Sequence, residues 1–266
     1  MLLAFIGLFI GAFGTLIGVA GGFLLVPILF FLYPEESPAA ITSTTLTVAF
    51  FNALSGSVAY GRQKRIDLRS GLYFAAAAVP GAVLGAYITG HLSRTVFQYI
   101  FGAILLVVSG YLLLRPEKRL TGRFLLRWPT TRRITDSRQK VHRYAFNLPL
   151  GIIIAFFIGM VSGMLGIGGG IIHVPALTQV LGFPAHIATA TSHFVVAITT
   201  LAAAVTHLVS GTFTGDIGRA LVLSAGAVVG AQFGARLSQR VTGVLIVRLL
   251  AVGLAVVALR LLVAPF

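Results

Sequence analysis

The sequence predicts an all-α membrane protein made of two homologous four-segment repeats, each opening with a helix that glycine and proline break or fold back. Three observations carry that expectation. Of 266 residues, 57% are hydrophobic and only 10% are charged, against roughly 25% charged in a soluble globular protein. With a mean hydropathy of +0.98, too few polar residues remain to build an aqueous shell. Apolar segments recur along the chain at about the 20-residue length that crosses a bilayer. Finally, one glycine-rich pattern occurs twice.

The apolar segments fall at 2–33, 38–60, 71–90, 95–114, 148–181, 185–209, 217–235 and 242–264. The start of the chain has neither a basic n-region nor a small-residue cleavage site, so no removable signal peptide is expected. A straight helix over 2–33 would measure about 48 Å, well beyond a hydrocarbon core of about 30 Å. Gly18, Gly21, Gly22 and Pro27 mark where it breaks, and Gly166, Gly168, Gly169, Gly170 and Pro175 do the same in 148–181. Glycine weakens a helix and proline deletes a backbone donor. Unwound backbone at membrane depth is tolerated only inside protein or beside water, so each break should line a cavity.

The duplication is explicit. Gly11-x6-Gly18-x2-Gly21-Gly22-x3-Val26-Pro27-x-Leu29 returns as Gly159-x6-Gly166-x2-Gly169-Gly170-x3-Val174-Pro175-x-Leu177, at a constant offset of 148. Gly81-x3-Gly85-Ala86 with Leu92-Ser93 returns as Gly226-x3-Gly230-Ala231 with Leu237-Ser238, at an offset of 145. Internal repeats of this kind are the usual architecture of secondary transporters. The chain therefore divides into a first transmembrane repeat (1–114), a basic linker (115–147) and a second transmembrane repeat (148–266).

Charge sets the orientation. The linker holds ten Lys/Arg, and the 61–70 loop adds Arg62, Lys64, Arg65 and Arg69. The positive-inside rule makes both cytoplasmic, which accounts for the net charge of +14 without a nucleic-acid partner. Phe124, Leu125, Leu126 and Trp128 interleave the linker bases, as in a loop anchored on anionic lipid. His142 and His186 are expected in solvated loops. If each glycine-broken segment spans once, the halves are parallel and both termini lie inside. If each re-enters, three full spans follow it and the halves are inverted, which is the arrangement we expect.

Polar groups in the membrane segments name a candidate site. A half-helix N-terminus at the midplane offers free N–H groups and the positive end of the helix dipole to an anion, which singles out Gly21, Gly22, Gly168, Gly169 and Gly170. Plain helix packing by small residues is the alternative for Gly7, Gly11, Gly14 and Gly18. Ser43 and Thr44 correspond to Thr191 and Ser192 at the same offset, and Asn52 corresponds to Thr200. Together they could form a polar cage, although hydroxyls in a helix also bond their own preceding carbonyls. Intramembrane His193 and His173 are proton-coupling candidates; His207 belongs nearer the surface. The six acids, Glu35, Glu36, Asp67, Glu117, Asp136 and Asp216, avoid helix centres, so the chain is poorly equipped for cations. The absence of cysteine excludes disulfides, Cys-ligated zinc and iron–sulfur clusters. No cofactor or metal is expected, and Ser162-Gly163 is only a chance-level match to a serine intramembrane protease.

The duplicated motif resembles the sulfite-exporter TauE/SafE family of membrane transporters. The likeness rests on Gly159-x6-Gly166-x-Gly168-Gly169-Gly170-x4-Pro175-x-Leu177, its weaker copy around Gly21-Gly22-x4-Pro27, the Ala-Thr-Ser stretch at 190–192 and the Gly-x3-Gly-Ala pairs. It implies a plasma-membrane carrier that exports sulfite, a sulfonate or a related organosulfur anion by alternating access. A passive anion channel and, less favoured, an intramembrane enzyme are the alternatives, and a homo-oligomer is compatible with the resemblance. The first copy departs from the pattern with Ala20 where the second has Gly168.

Overall fold

The computed structural model describes residues 2–114, 129–213, 216–238 and, within the last apolar segment, 251, 254–256, 258, 259 and 261–263. Phe124, Leu125, Leu126, Trp128, Arg240, Arg248 and Arg260 lie outside the described residues. The chain runs α1 (Leu2–Ile17), α2 (Gly22–Leu32), α3 (Pro38–Arg62), α4 (Leu68–Thr89), α5 (Arg94–Leu114), β1 (Pro129–Thr135), β2 (Val141–Asn147), α6 (Leu148–Leu165), α7 (Gly170–Pro175) with a π-helical turn over Ala176–Val180, α8 (Ala185–Val209) and α9 (Ile217–Leu237). Five helices, α4, α5, α6, α8 and α9, are long and apolar enough to cross a membrane. Its 25 residues make α3 as long as α8. Its hydroxyls and Asn52 lower its hydropathy, and most of it is buried inside the protein.

Polar residues stand where helices begin. Ser37 caps α3, with Pro38 at its first turn; Asp67 caps α4, Asn147 caps α6 and Asp216 caps α9, each accepting a backbone N–H that the helix cannot satisfy itself. Both glycine-broken segments fold back at their breaks. After Ile17 the chain reverses so that Gly21 sits against α1, where an added Cβ would lie 2.8 Å from the Ile10 carbonyl oxygen. After Leu165 the turn brings Gly169 back against Ser162 and Ile158 of α6. Positive φ falls at Gly18 (91°), Ala20 (56°) and Gly21 (75°), and again at Gly166 (72°), Gly168 (72°) and Gly169 (69°). The two turns therefore share one left-handed pattern, with Ala20 adopting it despite its side chain.

Small residues set the packing. Gly7 and Gly11 of α1 face Leu223 and Ala227, while Gly226, Gly230 and Gly234 of α9 face Ala4, Leu8 and Ala12. Contact positions rise together on both helices, so α1 and α9 run in the same direction. Likewise Gly81 and Gly85 of α4 face Phe156 and Met160, and Gly159 and Gly163 of α6 face Ala78 and Ala82. In both pairs a Cβ would stand 2.0–2.4 Å from a backbone carbonyl oxygen, so backbone meets backbone, as small-xxx-small pairs allow. Between these pairs α3 crosses α8 in the opposite sense: Tyr60 packs with Ala190, Gly56 meets His193 and Leu46 packs with Ala203.

One element departs from the all-helical expectation. Within the linker, β1 and β2 pair antiparallel from Pro129–Asn147 to Thr135–Val141. His142, Tyr144 and Phe146 alternate inward along β2, and the last two join Phe74, Leu177, Leu181 and Phe183 in an apolar cluster over the helix ends. The expectation that His142 is a solvated loop residue is overturned. It is 9% exposed and its Nε2 lies 3.3 Å from Asp136 Oδ2, because the period of two in this strand turns it towards the protein. His186 is exposed, in the first turn of α8.

Candidate functional site

The two glycine turns meet at the centre. A Cβ on Gly22 would lie 2.7 Å from the Gly166 carbonyl oxygen, and one on Gly170 would lie 2.7 Å from that of Gly18. Only hydrogen at these positions allows the approach, and it places the first turns of α2 and α7 side by side. Gly168 reaches the α3–α8 crossing, next to Ala49, Val196 and Thr200.

Two buried polar clusters flank this centre. The first surrounds a cavity of about 10 Å³ lined by Ser162, Gly168, Gly169, His173 and Thr199 together with apolar residues of α4, α6 and α8. That is room for about one water molecule. Ser162 Oγ and His173 Nδ1 are buried there without a hydrogen-bond partner, and the His173 ring stands edge-on to Phe74, 6.0 Å between centroids. An unpaired buried polar group is costly, so both are poised for a ligand. The second cluster is a chain: Thr15 Oγ1 donates to Asn52 Oδ1 at 2.9 Å, His193 Nε2 lies 3.3 Å from Thr15 Oγ1, and Tyr60 OH donates to the Thr15 carbonyl at 2.8 Å. Asn52 Nδ2 and His193 Nδ1 remain unpaired.

The other expected site residues are all fully buried, with different partners. Ser43 and Thr44 both donate to the Ala40 carbonyl of their own helix, the local bond that competes with ligand binding. Thr191 Oγ1 accepts the Asp67 N–H at 3.0 Å, and Ser192 Oγ stands 3.5 Å from the Gly18 carbonyl. Sequence reasoning missed Ser162, Thr199 and Thr15. Of these, Ser162 carried a usable signal, as the lone hydroxyl among apolar residues three positions past the Gly159 of the repeated motif.

The hairpin seals one end of the bundle. Tyr144 OH donates to Asp67 Oδ2 at 2.7 Å, Arg132 Nε lies 3.7 Å from the same oxygen, and Ser70 Oγ donates to it at 2.6 Å. Burial, followed by the bond to the Asp67 carboxylate, raises the Tyr144 phenol and keeps it a donor. Burial alone would raise the Asp136 carboxyl. The backbone N–H groups of Lys140 and Arg138 and the His142 ring outweigh that and hold it below the usual carboxylate range.

Apolar helices locked by glycine, two turned-back segments meeting at the centre and unpaired polar groups around a small cavity are the features of a multi-pass membrane protein. The sulfite exporter TauE/SafE family model matches residues 3–261, and the chain belongs to that family. It is 31% identical to the probable membrane transporter protein YunE of Bacillus subtilis, over 98% of this chain and 97% of the relative. It is 25% identical to the probable membrane transporter protein MJ0441 of Methanocaldococcus jannaschii, over 91% and 87%, and 27% identical to ORF9 of a Sinorhizobium species, over 99% and 94%. No solved structure matches the chain significantly. The protein is accordingly a membrane transporter of the TauE/SafE family.

Proposed function

We propose that this transporter exports a small sulfur-containing oxyanion, sulfite or a short sulfonate, across the plasma membrane by alternating access of two inverted halves, with the hairpin face in the cytoplasm. The observation that carries this reading is the small cavity where Ser162 Oγ and His173 Nδ1 stand unpaired beside Gly168 and Gly169. Neutral donors and backbone amides suit an anion. Asp67 and Asp136, the carboxylates buried among the described residues, are both engaged at the hairpin end. A cavity with room for one water must widen to admit an oxyanion, which favours a carrier that changes shape over an open channel. Inversion is supported by helix direction: α1 runs with α9 and α6 with α4, while α3 and α8 oppose each other.

In this reading Gly168 and Gly169, joined by Gly21 and Gly22 across the turn, present N–H groups to the anion. The expected donor Gly170 is excluded, because its N–H donates to the Gly168 carbonyl at 2.9 Å, and it serves the close approach of the two turns instead. Ser162 and His173 donate further bonds, and Ser43, Thr44, Asn52, Thr191 and Ser192 shape the polar lining as the helices move. His173 and His193 exchange a proton during the cycle. The test is flux into proteoliposomes of sulfite, sulfate, thiosulfate and a sulfonate under an imposed pH gradient. Saturable sulfite flux with trans-stimulation is expected. Ser162→Ala should raise the half-saturating concentration about tenfold, the worth of one bond to a charged ligand, and Gly169→Leu should abolish flux. Unsaturable flux would mean a channel, and intact flux in Gly169→Leu would remove the glycine turn from the site.

A further inference from the structure

We infer that the face opposite the hairpin carries a second oxyanion site, built from Arg94, Gln98 and Arg219 and separate from the central cavity. Arg94 opens α5, and its Nη1 donates to the carbonyls of Pro34 and Glu36. Arg219, near the start of α9 and 6% exposed, donates through Nη2 to Glu36 Oε1. One residue of the α2–α3 link, Glu36, thus holds both guanidinium groups. Aromatic rings back them: Arg94 lies 5.1 Å from the Phe30 centroid and Arg219 lies 3.8 Å from that of Tyr33, so the cations are partly desolvated and aimed by cation–π contact.

What these groups lack is an acceptor. Nε and Nη2 of Arg94 and Nε and Nη1 of Arg219 are buried with no partner. On Arg94 the free pair forms the side edge of the fork, the edge that grips two oxygens of a carboxylate, sulfonyl or phosphoryl group in parallel bonds. One helical turn further on, the same face of α5 presents Gln98, 1% exposed, with both amide atoms unpaired. The Glu36 carboxylate and the exposed Glu35, which acts electrostatically on Arg94, balance the two guanidinium charges, and Glu36 Oε2 is itself buried without a partner, so directed donors rather than surplus charge make the site. An oxyanion satisfies the Arg94 fork and the Gln98 amide together, and it would dock where substrate enters or leaves the bilayer on that side. The same chemistry is offered by a free sulfur oxyanion and by the phosphate of a lipid headgroup.

The purified full-length protein in detergent tests this by thermal melting in sodium sulfate against sodium chloride of equal ionic strength. Sulfate should raise the wild-type midpoint by mass action on the folded state. Arg94→Gln should need about tenfold more sulfate for the same rise, and Arg94→Lys, which keeps the charge without the fork, should fall between. Gln98→Leu separates ligand binding from a structural role. Removing an unpaired buried amide should raise the midpoint without sulfate and weaken the sulfate response. Added phosphatidylglycerol identifies the source. If it abolishes the wild-type sulfate response the site holds a lipid phosphate, and if it leaves the response intact the site holds the free anion. Arg94→Gln and Gln98→Leu variants that respond to sulfate as the wild type does would overturn the proposal, as would a wild type indifferent to both sulfate and the lipid. Melting does not depend on flux, so loss of the transport reading would leave this result standing.

Discussion

Gly168 and Gly170 stand two residues apart, yet a methyl group would meet different obstacles at each. At Gly168 it would find ordinary contact, 3.4 Å from Ala49 Cβ, and the obstacle is φ of +72°, worth about 1–2 kcal/mol for an L-residue. At Gly170 it would press on backbone, 2.6 Å from Val19 Cα and 2.7 Å from the Gly18 oxygen, and overpacking of that kind costs about 3 kcal/mol. Gly170→Ala should therefore melt well below Gly168→Ala, and the reverse order would show that the turns are not in contact. Ala20 holds the matching left-handed position at φ 56°. Ala20→Gly relieves about 1–2 kcal/mol of strain, loses about 0.8 kcal/mol from a buried methyl and adds unfolded-state freedom worth about 0.4–1 kcal/mol. The sum is near zero, so its melting midpoint should stay within a few degrees of wild type. At this scale the sequence was legible wherever glycine and proline forced the backbone, because those residues act locally. It was misleading for Ser43 and Thr44, whose hydroxyls turn to their own helix, and only partly informative for Ser162, whose importance comes from the empty space that α4, α7 and α8 leave around it.

The hairpin shows why one whole element escaped sequence reasoning. Arg132, Arg133, Lys140 and Arg143 give its segment the look of a solvated basic loop, and they mask the inward alternation of His142, Tyr144 and Phe146. Arg132 and Tyr144 are directly paired across the strands, and both reach Asp67; the bond from Ser137 N–H to the Gln63 carbonyl, 3.0 Å, fastens the turn to the α3–α4 link. The helices, by contrast, were readable from length and hydropathy, which need no partner to be recognised. Asp136 organises the hairpin turn by accepting the N–H groups of Arg138 and Lys140 at 2.9 and 3.0 Å. Its folded-state pKa lies below the unfolded value, so its contribution is complete above the usual carboxylate range and disappears as pH falls through the folded value. Amide exchange across 130–146, corrected for the intrinsic rate, should show the hairpin opening more readily at pH 3 than at pH 6. Asp136→Asn should open more readily than wild type at pH 6 and respond little to the same change, while an Asp136→Asn hairpin as protected as wild type at pH 6 would mean that the strands alone hold it.

At the scale of the whole molecule, helix direction decides which loops share a face. The contacts of Arg94 and Arg219 with the 34–36 link gather the ends of α2, α4 and α8 and the beginnings of α3, α5 and α9 on one side. Ser137 on Gln63 and the Gln63 Nε2 bond to the Ala235 carbonyl, 3.4 Å, gather the hairpin, the α3–α4 link and the end of α9 on the other. A parallel arrangement of the halves would separate Glu35 and Ser210, because a first segment that crossed once would put the 33–37 link outside and the 210–216 link inside. The turned-back segments keep both on one side, and in the proposed orientation the basic residues place the other side in the cytoplasm. The chain contains no cysteine, so single cysteines can be introduced without any background. Glu35, Ser137 and Ser210 are all exposed, and none lies in the candidate site. In intact cells a membrane-impermeant maleimide should label Glu35→Cys and Ser210→Cys but not Ser137→Cys, and in inverted vesicles the pattern should exchange. Labelling of Ser137→Cys together with Ser210→Cys from one side would defeat the inverted arrangement. The distinction matters for the proposed mechanism: two oppositely directed halves around one cavity would allow two related conformations, each open to one side, which is what alternating access requires of a carrier.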